Sequence, residues 1–110
     1  MNSSGKVLIL GASGGIGGEV ARRLVADNWQ VRALKRGAQI RDPEDGMQWI
    51  AGDALDAGQV AAAAVGCDVI VHAVNPPGYR HWRQQVLPML RNTLQAAEQQ
   101  RALVVLPGTV

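Results

Sequence analysis

The residues whose types and spacing carry the strongest chemical signal are Gly11-Ala12-Ser13-Gly14-Gly15-Ile16-Gly17-Gly18. Glycines at positions 11, 14 and 17 permit a tight turn, close approach of a pyrophosphate to the backbone, and close packing of a helix on a strand. The first N–H groups of a helix have no intrahelical partner and carry a partial positive charge, so a helix opening near Gly15 offers a seat for a phosphate. Ser13 adds a hydroxyl donor. The segment therefore predicts a dinucleotide-binding turn, with Gly11, Ser13, Gly14, Gly15, Ile16 and Gly17 around the pyrophosphate. A flexible loop is the bland alternative, and the apolar strand just before the turn argues against it. A Walker A loop is excluded, because no Lys-Ser or Lys-Thr follows the glycines.

The elements that must position this turn are legible on either side. Val7 to Leu10 is a continuous apolar run ending at Gly11, the pattern of a strand buried on both faces. Ile16, Val20, Leu24 and Val25 then recur at helical spacing, with Glu19 in the first turn, Arg22 and Arg23 on the other face, and Asn28 able to close the helix. A second strand is predicted from Gln30 to Lys35, and a third from Met47 to Ala51. Gly37 to Gly46 between them is polar, with a surface turn at Asp42-Pro43. Asp56 and Gln59 form a capping pair for a helix running to about Val65. Asp68 to Ala73 reads as a fourth strand. Pro76-Pro77-Gly78 breaks the chain before a long helix with Leu87, Leu90, Leu94 and Ala97 on one face, which Pro88 either kinks or starts in earnest. Ala102 to Leu106 is a fifth apolar strand. Strands alternating with helices imply right-handed crossovers and a parallel sheet covered on both faces. The expected fold is therefore α/β, a three-layer Rossmann arrangement with strand order 3-2-1-4-5, truncated after strand five.

With 110 residues, 47% hydrophobic and 18% charged, the chain is expected to form one soluble domain over residues 1–110, with no internal boundary, repeat or linker. Thirteen glycines beside no phenylalanine favour close backbone packing over aromatic bulk. The single Cys67 builds neither a disulfide framework nor a zinc site, and no His, Cys or carboxylate cluster suggests a metal. Cys67, Trp29, Trp49 and Trp82 are assigned to packing or the surface. A net charge of +2 is too small and scattered for nucleic acid and suits a small anionic ligand. The apolar run after Lys6 is interrupted by glycines, so no cleavable leader is expected, and no stretch is long enough to span a bilayer. The expectation is a cytoplasmic protein with neither membrane nor nucleic-acid partners.

The glycine spacing departs from Gly-x-Gly-x-x-Gly. It fits Gly-x-x-Gly-x-x-Gly through Gly11, Gly14 and Gly17, and Gly-x-x-x-Gly-x-Gly through Gly11, Gly15 and Gly17. Together with Gly52-Asp53-Ala54-Leu55-Asp56 after strand three and His72-Ala73-Val74-Asn75 after strand four, it resembles the short-chain dehydrogenase/reductase superfamily, in particular its extended and atypical branch of NAD-dependent epimerase/dehydratases and NmrA-like proteins. The resemblance covers the whole chain; Leu10 stands where many members carry Thr. It implies that Asp53 hydrogen-bonds the adenine amino group, that Ala54 helps through its backbone, and that His72, Ala73 and Val74 line the adenine and ribose side of the cleft. Read from the residues alone, the alternative for Asp53 is a helix or turn cap, and for His72 a partly buried histidine satisfied by backbone.

The end of strand two separates the two nicotinamide cofactors. A carboxylate there accepts both ribose hydroxyls of NAD and repels the extra phosphate of NADP. This chain has Leu34-Lys35-Arg36 instead. Two cations and no acid favour a 2′-phosphate, gripped by Arg36 with Lys35 adding charge, so NADP is expected ahead of NAD. The alternative is an ordinary solvated pair of loop charges.

Catalytic residues are not assigned. The resemblance implies a Tyr-x-x-x-Lys pair on a helix after strand five, with the lysine lowering the tyrosine pKa, and that helix is not in the sequence. Tyr79-Arg80-His81-Trp82-Arg83 mimics the spacing but follows strand four and substitutes Arg for Lys, a poor exchange for tuning. Thr109 lies near the expected Ser/Thr position behind an unusual Pro107-Gly108. Two functions from different classes follow: the cofactor-binding N-terminal portion of an NADP-dependent oxidoreductase or epimerase/dehydratase, whose small-molecule substrate would be held by the rest of the parent, or a non-catalytic NmrA-like dinucleotide sensor. A weaker third is a Rossmann-like domain for CoA or another nucleotide. The fifth strand at an open sheet edge predicts self-association.

Overall fold

In the computed structural model, residues 5–12, 15–36, 46–74 and 82–106 are described. In chain order the elements are β1 (Lys6–Leu10), α1 (Gly15–Ala26), β2 (Gln30–Lys35), β3 (Met47–Ala51), α2 (Ala57–Ala64), β4 (Val69–His72), α3 (Trp82–Gln100) and β5 (Leu103–Val105). The five strands are parallel, in the order β3-β2-β1-β4-β5. The α/β fold and its strand order are those read from the sequence.

Alternation along β1 divides the core. Leu8 and Leu10 face one layer, with Leu34, Ile70 and the α2 and α3 residues Val60, Ala63, Ala64, Ala96 and Ala97. Val7 and Ile9 face the other, with Val31, Ala33, Val71 and Ala21 of α1. Side chains on a strand point alternately to opposite faces, so a run apolar at every position must be covered twice. Val7 to Leu10 are all fully buried, which makes β1 the centre of a three-layer molecule.

The helix ends follow local rules. Asn28 adopts φ 68°; Trp29 N–H donates to the Leu24 carbonyl at 2.9 Å and Asn28 N–H to Val25 at 3.0 Å, the paired closing bonds of a left-handed helix stop. Asp56 caps α2 by accepting from Gln59 N–H at 3.0 Å. The return half of the expected capping box is not made: Gln59 Oε1 accepts instead from Asp53 N–H at 2.7 Å, which ties the helix to the preceding turn.

Several expectations are corrected. Glu19 falls in the second turn of α1, where it pairs with Arg22 at 2.8 Å, and Ile16 is exposed rather than on the buried stripe. Helix α2 stops at Ala64, β4 spans Val69–His72 rather than 68–73, and β5 spans Leu103–Val105 rather than 102–106. Helix α3 begins at Trp82 with Pro88 inside it, so Pro88 does not start the helix. Its buried face is Thr93, Ala96 and Ala97, whereas Leu87 and Leu94 are 47% and 50% exposed. The alanine-rich α2 lets α3 approach through its small residues, which turns two of the three expected leucines outward. The turns expected at Asp42-Pro43 and Pro76-Pro77-Gly78 lie outside the described residues.

Candidate functional site

In an open parallel sheet, the crevice for a ligand lies beyond the carboxyl ends of the strands where the strand order reverses. Here that point is between β1 and β4. Gly11 leaves β1 with φ +94°, a backbone conformation that favours glycine. A Cβ added to it would lie 2.6 Å from the Ala73 carbonyl oxygen and 2.9 Å from Val74 N. A Cβ at Gly17 would run into the Gly11 carbonyl. The start of α1, the end of β1 and the residues after β4 are thus drawn together to backbone contact, a spacing only glycine at 11 and 17 allows. Gly15, by contrast, has nothing within 4 Å of where its Cβ would be. No acid lies in the first turn of α1, so that turn sets no negative side chain against the partial positive charge of its N-terminus. The described residues fit a pyrophosphate: Gly15 leaves open space at the start of α1, whose first N–H groups have no intrahelical partner. Ser13 and Gly14 lie outside the described residues.

The other sequence-predicted residues lie at the same end of the sheet, beyond or at the carboxyl ends of β2, β3 and β4. Lys35 ends β2, and its Nζ stands 5.9 Å from the Trp49 ring centroid, near the outer limit of a cation–π contact. Arg36 follows it, exposed. Gly52 N–H bonds the Lys35 carbonyl at 3.1 Å, which brings the β3–α2 turn beside the end of β2. In that turn Asp53 Oδ1 accepts from Leu55 N–H at 2.9 Å and the Asp53 carbonyl accepts from Asp56 N–H at 2.9 Å. The turn-cap reading of Asp53 is therefore observed. It does not exhaust the carboxylate, which offers about four acceptor positions. Ala54 is buried, and its carbonyl accepts from Asn92 Nδ2 at 3.0 Å.

His72 is the last residue of β4 and is buried. Its Nδ1 lies 2.8 Å from Thr93 Oγ1, so a side-chain hydroxyl on α3 satisfies it, not the backbone as expected. Burial pushes its pKa below the ordinary 6.5, leaving a neutral imidazole at pH 7. Ala73 N–H donates to the Leu10 carbonyl at 2.9 Å, extending the pairing of β4 with β1 past the last strand residue.

Sequence reasoning missed Asn92, Thr93 and the second role of Gln59. The available signal was that Thr93 sits three and four residues before Ala96 and Ala97, on the stripe that packs inward. It also missed Arg32, which donates to the carbonyls of Ala63 at 3.0 Å and Val65 at 2.6 Å and so serves the unpaired end of α2. Cys67 is buried and its thiol pKa is raised by that burial, consistent with a packing role. Trp29 and Trp49 pack against the α1-side core. Tyr79, His81 and Thr109 lie outside the described residues, and nothing among the described ones forms a group of three or more His, Cys, Asp or Glu placed to hold a metal. Two surface depressions occur away from the strand ends, one along Glu19, Arg22 and Arg23 of α1 and one between α2 and α3 beside Gly58 and Gln95.

The sequence pattern of the NAD(P)H-binding family matches residues 11–106. The chain belongs to this NAD(P)H-binding family. Over 70 residues, 64% of the chain, it is 30% identical to 2-alkyl-3-oxoalkanoate reductase of Shewanella oneidensis, of which the match covers 18%. Uronate dehydrogenase from Agrobacterium tumefaciens shares the fold with a TM-score of 0.74 at 23% identity, over 96% of this chain and 41% of that one. The Bordetella bronchiseptica enzyme WbmH, solved in complex with NAD+, has a TM-score of 0.72 at 23% identity, over 89% of this chain and 36% of that one. The chain spans less than half the length of each. The family and the fold of these neighbours agree with the resemblance to short-chain dehydrogenase/reductases carried by the glycine turn.

Proposed function

We propose that residues 1–110 form one NADP(H)-binding domain that serves as the cofactor-holding portion of an epimerase/dehydratase-type oxidoreductase acting in the cytoplasm. The observation that carries this reading is the glycine turn at the reversal of strand order, where Gly11 and Gly17 let β1, α1 and the residues after β4 meet at backbone contact and Gly15 leaves the start of α1 open. Gly11, Ser13, Gly14, Gly15, Ile16 and Gly17 would hold the pyrophosphate through backbone N–H groups and the Ser13 hydroxyl. Lys35 and Arg36 would meet the 2′-phosphate, Asp53 and Ala54 the adenine, and His72, Ala73 and Val74 the wall beside adenine and ribose. The bound cofactor supplies hydride chemistry; this chain binds and orients it. The 2-alkyl-3-oxoalkanoate reductase relative favours a small carbonyl compound as the substrate class of the whole protein.

Calorimetric titration with NADPH and NADH tests the reading. NADPH is expected to bind about tenfold or more tightly, since a charge-assisted hydrogen bond is worth roughly 1.5–3 kcal/mol, and Arg36→Asp is expected to reverse the preference. Equal affinities or tighter NADH binding by the unchanged protein overturns the NADP assignment. Absence of binding by either overturns the dinucleotide reading.

A further inference from the structure

Two consecutive residues of α3 reach two separate walls of the proposed adenosine cleft. Asn92 Nδ2 donates to the Ala54 carbonyl in the β3–α2 turn, and the Thr93 hydroxyl shares a hydrogen bond with His72 Nδ1 at the end of β4. Neighbours on a helix point about 100° apart, so one step along α3 serves two segments that are distant in sequence.

Packing does not require this chemistry. Thr93 is fully buried, and the next residues on its stripe, Ala96 and Ala97, are apolar. Valine has the shape of threonine and asks for no partner. Replacing both partners of a buried polar pair by apolar groups is often neutral or stabilising, whereas removing one leaves the other unsatisfied. What the hydrogen bond adds is orientation of the imidazole one residue before Ala73. Ala73 in turn is held by the Leu10 carbonyl, and its own carbonyl sits where a Gly11 side chain would be. Asn92 acts likewise on the other wall. The turn carrying Asp53 is suspended between two helices, by Gln59 of α2 through Asp53 N–H and by Asn92 of α3 through the Ala54 carbonyl.

We propose that Asn92 and Thr93 are positioning residues for the adenosine half of the dinucleotide, setting the Asp53-Ala54 turn and the His72-Ala73-Val74 wall at the spacing an adenine ring requires. This rests on the cofactor reading above. It makes α3 the element through which the two walls are held in register, and it gives half-buried Asn92 and buried Thr93 a role in recognition.

Threonine allows a test that separates stability from recognition. Thr93→Val keeps the shape and loses the hydroxyl; Thr93→Ser keeps the hydroxyl and loses a buried methyl. Each variant, and Asn92→Leu, is titrated with NADPH and with adenosine 2′,5′-bisphosphate, and its melting temperature is recorded. Thr93→Ser is expected to melt lower than the unchanged protein, through its lost buried methyl, yet bind both ligands within about twofold of it. Thr93→Val and Asn92→Leu are expected to lose about three- to tenfold in affinity, the range of one net hydrogen bond. If, well below its melting temperature, Thr93→Val binds as well as or better than Thr93→Ser, the residues are structural only and the inference is overturned. Failure of the unchanged protein to bind either ligand instead removes the cofactor reading, and this inference with it.

Discussion

Gly15 separates what the glycine turn does for the fold from what it does for a ligand. Gly11 and Gly17 have backbone in the way of any Cβ, so substitutions there damage the protein itself, whereas a Cβ at Gly15 meets nothing. Gly15→Ala should therefore leave the melting temperature unchanged or slightly raised, because alanine is the better helix residue, while weakening NADPH by obstructing the pyrophosphate. Unaltered affinity would show that the phosphate lies elsewhere. His72 offers a second residue-scale test. Its folded pKa is depressed by burial below 6.5, so below that pH the unfolded chain takes up a proton that the folded one refuses. Stability is complete above about pH 6.5 and is lost as pH falls through the folded value. Denaturation midpoints measured from pH 8 to 5 should show this loss, and His72→Gln should flatten it; an unchanged slope would assign the loss to other groups. The glycine turn was legible because its glycines have backbone reasons for being glycine. Thr93 was not, since only the third dimension shows that a hydroxyl on α3 meets an imidazole on β4.

At the scale of elements, helix ends carry the clearest energetic prediction. Helix α3 ends like α1: Ala102 N–H bonds the Ala97 carbonyl at 2.8 Å and Arg101 N–H bonds Glu98 at 3.3 Å. The left-handed position is taken by Arg101, at φ 54°, where glycine is the usual residue. Arg101→Gly should stabilise the protein by about 0.5–1 kcal/mol, seen as a rise of a few degrees in melting temperature. A fall would mean that the arginine side chain contributes more than its backbone strain costs. Strands β2 and β3 were legible to the residue because polar or glycine-containing segments bound them. Helix α3 was misread in phase. Leu87, Leu90 and Leu94 share a helical period with Thr93, Ala96 and Ala97, and hydrophobicity alone does not say which stripe faces inward when the facing helix is built of alanine.

For the whole molecule, coverage of the sheet is uneven. Helix α1 packs over β1 and β2. Leu103 and Val105, in register with Val69 and Val71 on that same side, are exposed, Leu103 by 65%, and Leu106 beside them is exposed as well. Apolar residues at a sheet edge favour pairing with another chain. Sedimentation of this chain at rising concentration should show self-association that Leu103→Lys diminishes; a monomer at all concentrations would show that the edge is covered. No helix among the described residues is long and apolar enough to cross a membrane.

The central claim is that a dinucleotide lies across the carboxyl ends of β1, β2 and β4. Mapping amide chemical shifts of the isotopically labelled protein during NADPH addition tests it most directly. The predicted result is saturable shifts concentrated at Gly11 to Gly18, Lys35 and Arg36, Gly52 to Leu55, and His72 to Val74, with the outer face of α1 little changed. Shifts confined to the depression between α2 and α3, or none at saturating NADPH, would contradict it.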